Sequence, residues 1–417
     1  MGGGTAVGQL IVLLSAPVLT RLYTPEEMGL FSLVIAFVGF VGVGTGLRYE
    51  VAVVSAENER EAGLLAWASI FSTVPMAIGF GLMLYGMIRY RLVAYGQLPS
   101  WSVPVVVLLL IVTQIFMSLR YWHVRRSNFA MIGKVLVVQG IGRATVPIIA
   151  GVVGLGWTGL LLGELAGRML GTYRMLAAAY ASLSSAARGM KRSLLAETCR
   201  KYWKFPVVAL PSALVDAFGP AILLPLIATL FGNDKAGLFF LVTRLGTVPS
   251  AIVSASISDV FHARASEDFR TDPALLRPFL VHVAKKMLCV GSLIYGPIAV
   301  LSPFIFGTLF GSQWAEAGIL MAVVTPVALV SLVVSPLSRL LLVVNRQEMK
   351  LAADLVRVCL PLLGVIAGHR LGLDFRIVVL IYSFAATAGY CFYFFIIWLA
   401  SKERTTASRV SPASEES

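Results

Sequence analysis

Apolar runs of about 18 residues or more recur along the whole chain, each long enough to cross a hydrocarbon core roughly 30 Å thick at about 1.5 Å per residue. Short polar interruptions separate them, such as YTPEE at 23–27 and GNDK at 232–235. The runs centre near residues 12, 40, 77, 112, 143, 166, 217, 247, 293, 325, 358 and 388. They predict about twelve transmembrane helices. Alternation of period two is absent, which argues against a transmembrane barrel and for an all-α, polytopic fold.

One interruption repeats. LYTPEEMGLF at 22–31 returns as LFGNDKAGLF at 230–239, a displacement of 208 residues. Sliding the chain by that amount pairs Pro17 with Pro225, Leu22 with Leu230, Gly29 with Gly237, Leu30 with Leu238, Phe31 with Phe239, Leu33 with Leu241 and Val34 with Val242. The displacement spans six predicted helices, and an even number preserves orientation. Two parallel six-helix bundles related by an axis along the membrane normal are therefore expected. Residues 1–180 form the first bundle and 206–400 the second. Between them, 181–205 is a basic amphipathic linker suited to the cytoplasmic interface, and the polar tail 401–417 is expected to be disordered.

Composition sharpens this picture. Of 417 residues 58% are apolar and only 13% charged, against roughly 25% charged in a soluble domain; mean hydropathy is +0.85. The net charge of +13 does not point to nucleic acid, because the basic residues collect in alternate loops instead of a polar domain. Those after the fourth, sixth, eighth and tenth predicted helices are rich in lysine and arginine. The positive-inside rule then places both termini in the cytoplasm. The acidic loop ENERE at 57–61 runs against the pattern. Cys199, Cys289, Cys359 and Cys391 are scattered with no metal-like spacing, so neither a disulfide framework nor a metal centre is expected. The start has no basic region or cleavage site of a signal peptide.

Ionisable residues inside the spans carry the functional signal, since each costs at least about 2.5 kcal/mol at the bilayer centre unless it meets a cavity or a partner. The helical rise puts Arg143, Arg168 and Asp216 roughly 14–15 Å deep and Arg244 about 10 Å deep. Arg48 and Glu50 lie near the cytoplasmic end of the second helix. Glu164 and Arg168, at i and i+4, are spaced to neutralise each other, as are Asp354 and Arg357 at i and i+3. Arg48 reads equally as snorkelling to headgroups. Arg143 and Arg244 have no acid three or four residues away, and so are the stronger candidates for a cationic cavity. Asp216 sits among Pro211, Gly219 and Pro220, a proline-rich stretch expected to bend the seventh helix; it reads as an ion-coupling group or as a structural hydrogen-bonding one. Glu50, Glu164, Asp354 and Arg357 complete the candidates for ion coupling or gating.

Enzymatic motifs are missing: there is no P-loop, HExxH, CxxC or GxSxG, and no cofactor is expected. No outward loop exceeds roughly 15 residues, which weighs against a membrane glycan polymerase or ligase.

Taken in order, LTRLYTPEEMGLFSL, LRYEVAVV, KYWKFPVVALPSAL, LFGSQWAEAGIL and SPLSRLLLVVNRQ resemble the bacterial polysaccharide-biosynthesis flippases of the multidrug/oligosaccharidyl-lipid/polysaccharide exporter superfamily. The resemblance spans nearly the whole chain. It implies two six-helix bundles around a central cavity in the bacterial inner membrane. It also implies movement of an undecaprenyl-pyrophosphate-linked oligosaccharide to the outer leaflet for O-antigen, capsule or exopolysaccharide, coupled to Na+ or H+ and working beside a polysaccharide polymerase. Arg48 and Glu50 fall in the RYE of the second helix, and the cationic set Arg143, Arg168, Arg244 and Arg48 suits a pyrophosphate. The resemblance also leads one to expect more residues before the first helix than this chain has. A cation-coupled multidrug exporter of the same superfamily is the competing reading; acids and aromatics would then line the cavity. A major-facilitator transporter shares the helix count but has a basic loop where this chain has ENERE.

Overall fold

The computed structural model describes residues 2–186, 191–344 and 346–401. The expected disorder of the tail therefore falls, beyond Ser401, outside the described residues, as does the middle of the linker. The helices run α1 (Gly2–Leu22), α2 (Pro25–Val41), α3 (Tyr49–Ser55), α4 (Glu59–Arg89), α5 (Ser102–Arg125), α6 (Phe129–Val152), α7 (Trp157–Ala186), α8 (Arg192–Lys201), α9 (Leu210–Phe231), α10 (Asn233–Thr271), α11 (Leu276–Phe310), α12 (Ala315–Leu337), α13 (Leu340–Val343), α14 (Gln347–Arg370) and α15 (Phe375–Ala400). No strand occurs among the described residues. Leaving out the short α3, α8 and α13, twelve long helices remain, as the apolar runs predict. Nine spans are long and apolar enough to cross a membrane by length and composition among those residues; α1, α7 and α10 complete the twelve.

The first copy of the motif is a helix start with its own cap. Thr24 caps α2: its Oγ1 accepts from the Glu27 N–H at 3.2 Å, while its own N–H donates to Glu27 Oε2 at 2.8 Å. Pro25 occupies the first turn, where its missing N–H costs nothing. One helix ends and the next starts with almost no loop.

The second predicted span is not one helix. After Val41 the chain makes a 3-10 turn at 42–44, and α3 begins only at Tyr49. Leu47 and Arg48 adopt φ of 51° and 62°, a left-handed conformation that costs a non-glycine residue on the order of 1–3 kcal/mol. The sequence GFVGVGTG at 39–46 supplies the flexibility for that break.

Contacts divide the chain into two compact units, Met1–Phe240 and Leu241–Ser417. In the first, α3, α4, α5 and α7 enclose Trp122, Leu65, Ala52 and Met175. Small residues bring α1 onto α6: a Cβ at Gly8 would lie 2.6 Å from the Leu136 carbonyl oxygen, and one at Gly140 would lie 2.7 Å from that of Gly8. The acidic ENERE loop serves as a seat for the linker. Lys201, closing α8, pairs with Glu57 at 2.8 Å and Glu61 at 2.9 Å, and the Tyr202 hydroxyl donates to Glu61 at 3.0 Å. Both carboxylates hold the Lys201 ammonium above the usual lysine range. In the second unit, Tyr295, Leu332, Leu340 and Ile397 are enclosed, and the Tyr295 hydroxyl donates to the Gly246 carbonyl at 2.6 Å.

Candidate functional site

Glycine sets the geometry of the first cluster. A Cβ at Gly167 would lie 2.7 Å from Arg143 Cγ, one at Gly142 would lie 2.8 Å from Gly167 Cα, and one at Gly163 would strike Pro147. So α6 and α7 lie backbone to backbone, and Arg143 reaches across. Its Nη2 pairs with Glu164 Oε1 at 2.8 Å. Arg168, one turn beyond Glu164, pairs with the same oxygen at 2.7 Å and donates to Thr113 Oγ1 on α5. Arg143 thus has a partner that spacing along one helix could not reveal. Two guanidiniums on one carboxylate leave a formal charge of +1. The Arg143 side chain is 27% exposed and that of Arg168 17%, so neither is sealed in. Two buried donors on α6, Arg143 Nε and Gln139 Nε2, have no acceptor; such a group normally finds one.

A cluster with the same balance of charge stands in the second unit. Lys350 pairs with Asp354 at 2.7 Å and Arg357 with the same carboxylate at 3.2 Å. Arg357 also lies over the Tyr390 ring, 5.6 Å from its centroid. Again two cations meet one acid, and again the guanidinium Nε is buried without an acceptor. A Cβ at Gly389 would lie 3.1 Å from Arg357 Cα, so α14 and α15 also approach closely here.

The other candidates lie elsewhere. Arg244 is half-buried on α10 in the second unit. Asp216, Pro211 and Pro220 are exposed on α9, and Gly219 is half-buried. The segment 210–231 stays helical through Pro220, and the irregularity is a π turn at Phe205–Ala209, one step earlier. Glu50 is buried at 3% exposure. It accepts from Gln114 Nε2 at 3.1 Å and Ser69 Oγ at 3.3 Å, and Arg48 stands 3.9 Å from its other oxygen. Gln114, Ser69, Lys350, Tyr390 and Thr113 were not among the sequence candidates; a glutamine inside VVVLLLIVTQIFM is a signal that could have pointed to the first.

A family profile described as "Polysaccharide biosynthesis protein" matches residues 18–319. The chain belongs to that family. No curated protein matches it in sequence. Among solved structures, this polysaccharide biosynthesis protein is similar to a multidrug resistance MATE family transporter of the MOP superfamily in an inward-facing conformation, with a TM-score of 0.70 and 14% identity over 97% of this chain and 96% of the other. It is likewise similar to the lipid II flippase MurJ in an inward closed conformation, with a TM-score of 0.70 and 13% identity over 99% and 93%. A third is a MOP superfamily transporter from Pyrococcus furiosus, described by a reversed polarity of its binding pocket; the TM-score is 0.64 at 13% identity, over 98% and 95%. At these identities the fold is what is shared: a multi-pass, all-α fold.

Proposed function

We propose that this polysaccharide biosynthesis protein is a flippase that carries an undecaprenyl-pyrophosphate-linked oligosaccharide from the cytoplasmic to the outer leaflet of the bacterial inner membrane. Both termini are cytoplasmic in this reading, and residues 1–180 and 206–400 act as two six-helix bundles joined by 181–205. They rock to give alternating access, coupled to an ion gradient.

The carrying observation is the pair of clusters Arg143–Glu164–Arg168 and Lys350–Asp354–Arg357, each with two cations on one carboxylate and a buried guanidinium Nε lacking an acceptor. A pyrophosphate cannot enter hydrocarbon without losing its hydration, at a cost of many kcal/mol. Arginines replace that hydration with charge-assisted bonds. The excess positive charge in each cluster favours an anionic cargo over the organic cations of a multidrug exporter.

The test uses the purified chain in vesicles, with a fluorescent polyprenyl-pyrophosphate glycan whose inner and outer pools are told apart by an impermeant quencher. Arg143→Gln and Arg357→Gln are each expected to slow the exchange at least tenfold while eluting as folded protein. Unchanged exchange in both would remove the clusters from the mechanism, and export of an organic cation instead would favour the multidrug reading.

A further inference from the structure

Glu50 stands apart from both cationic clusters and is not used in the anion-binding role. Its setting is unusual for a carboxylate. Three elements converge on it: the break at 42–48, α4 through Ser69, and α5 through Gln114 and Ser118. Ser69 and Ser118 hydroxyls share a hydrogen bond of 2.8 Å, Gln114 Nε2 also donates to Ser69 at 3.1 Å, and Thr45 donates to Gln114 Oε1 at 3.2 Å. All these partners are neutral. Of the charged groups on the packed elements, Arg48 faces Glu50, at 3.9 Å. Arg125 on α5 is turned to the carbonyls of Val53, Val54 and Ala56 at 2.8–3.2 Å. Glu59 at the start of α4 faces Arg126, and Glu61 faces Lys201. Tyr49 interacts with Cys199, and Lys204, before the π turn that touches α3, is exposed.

We infer that Glu50 is a proton-exchanging group, and that the break between α2 and α3 reads its charge. Three features carry this. The carboxylate is buried and hydrogen-bonded by neutral donors, and the cation that faces it, Arg48, stands at the limit of an ion pair. That arginine is itself held in a left-handed conformation, φ 62°, in the break. The Arg48 side chain is 27% exposed, so the pair is not fully enclosed by protein. Uptake breaks one O–H bond of a hydronium ion, which leaves as water, and forms one on Glu50, changing the Arg48–Glu50 pair from neutral to +1; release reverses it. Arg48 then loses the counter-charge that favours its strained backbone. A metal ion fits less well than a proton. The amide hydrogens of Gln114 already point at Glu50 and Ser69, and a Cβ at Gly46 would lie 2.5 Å from both Glu50 Oε2 and Ser69 Oγ, so the site is filled.

Coupling of this group to glycan movement rests on the flippase reading, but the proton site does not, and the experiment separates them. Infrared difference spectra are recorded across a pH series on the substrate-free protein in vesicles. The expected result is a protonated-carboxyl band that rises as pH falls, is missing in Glu50→Gln, and moves in frequency in Glu50→Asp. The second variant keeps the test alive if the first does not fold. Identical spectra in wild type and Glu50→Gln overturn the proposal, as does loss of the band on adding Na+ at constant pH. In the vesicle exchange assay, Glu50→Gln is expected to move glycan at a rate indifferent to an imposed pH gradient, and an unaltered response to the gradient overturns the coupling. A titrating band with no glycan movement in wild type removes the flippase reading and leaves the proton site standing.

Discussion

Glu164 serves two arginines, and that sharing decides what its loss does. Its side chain is 10% exposed, so removing the charge leaves two guanidiniums close together with no carboxylate between them. Breaking one partner of a buried pair costs about 3–5 kcal/mol. Glu164→Gln is therefore expected to lower the thermal midpoint in detergent sharply. Adding Arg143→Gln to it should return part of the loss, because only Arg168 then remains and still has Thr113. Strictly additive losses in the two variants and their combination would show that the three residues do not act as one group. Of this cluster the sequence revealed the half that lies on one helix, Glu164 with Arg168, because i and i+4 share a face. The bond from Arg143 was not legible: it depends on how closely α6 meets α7, and nothing in the spacing of charges reports that distance.

At the scale of one element, the second span carries the main lesson about irregularity. Its hydropathy reads as a single helix, and periodicity cannot show that Leu47 and Arg48 leave the helical region. The glycines do hint at it, because four of them fall in 39–46. They are not equivalent. A Cβ at Gly46 would strike Gln114 and lie 2.5 Å from Glu50 and Ser69, whereas one at Gly39 would meet nothing within 4 Å. Gly46→Ala is therefore expected to destabilise by about 1–3 kcal/mol through overpacking. Gly39→Ala should be neutral or slightly stabilising, by up to about 1 kcal/mol, since it sits within α2. Denaturant-induced unfolding of the two variants beside wild type checks this; equal effects would mean that the Glu50 network tolerates being pushed apart. Prolines mark the other irregularity: Pro206 lies inside the π turn at Phe205–Ala209, and Pro211 follows in the first turn of α9, into which that turn runs directly.

For the whole molecule, the internal repeat was legible in the sequence, and its contacts show why those residues recur. Helices α2 and α10 start at Pro25 and Asn233, and 233 − 25 = 208, the repeat displacement. A Cβ at Gly29 would collide with the Asn233 carbonyl, and one at Gly237 with the Pro25 carbonyl. Adding 208 to Gly29 and Pro25 gives Gly237 and Asn233, so each contact is the image of the other. Reciprocity of this kind is what a two-fold relation between the two copies of the motif requires. Phe31 also stacks edge-on against Phe240 at 5.8 Å, beside the crossing. The shared glycine is therefore a requirement of the crossing, not a residue of a loop. Gly29→Leu and Gly237→Leu should each force α2 away from residues 233–240 and lower the thermal midpoint by similar amounts. Once the first has parted the backbones, the second meets a gap already opened, so the double variant should lose much less than the sum. Four midpoints measured under one condition decide it. If one leucine is tolerated while the other is not, or the two losses add in full, the contacts at the two glycines are independent and the two-fold relation does not govern the crossing.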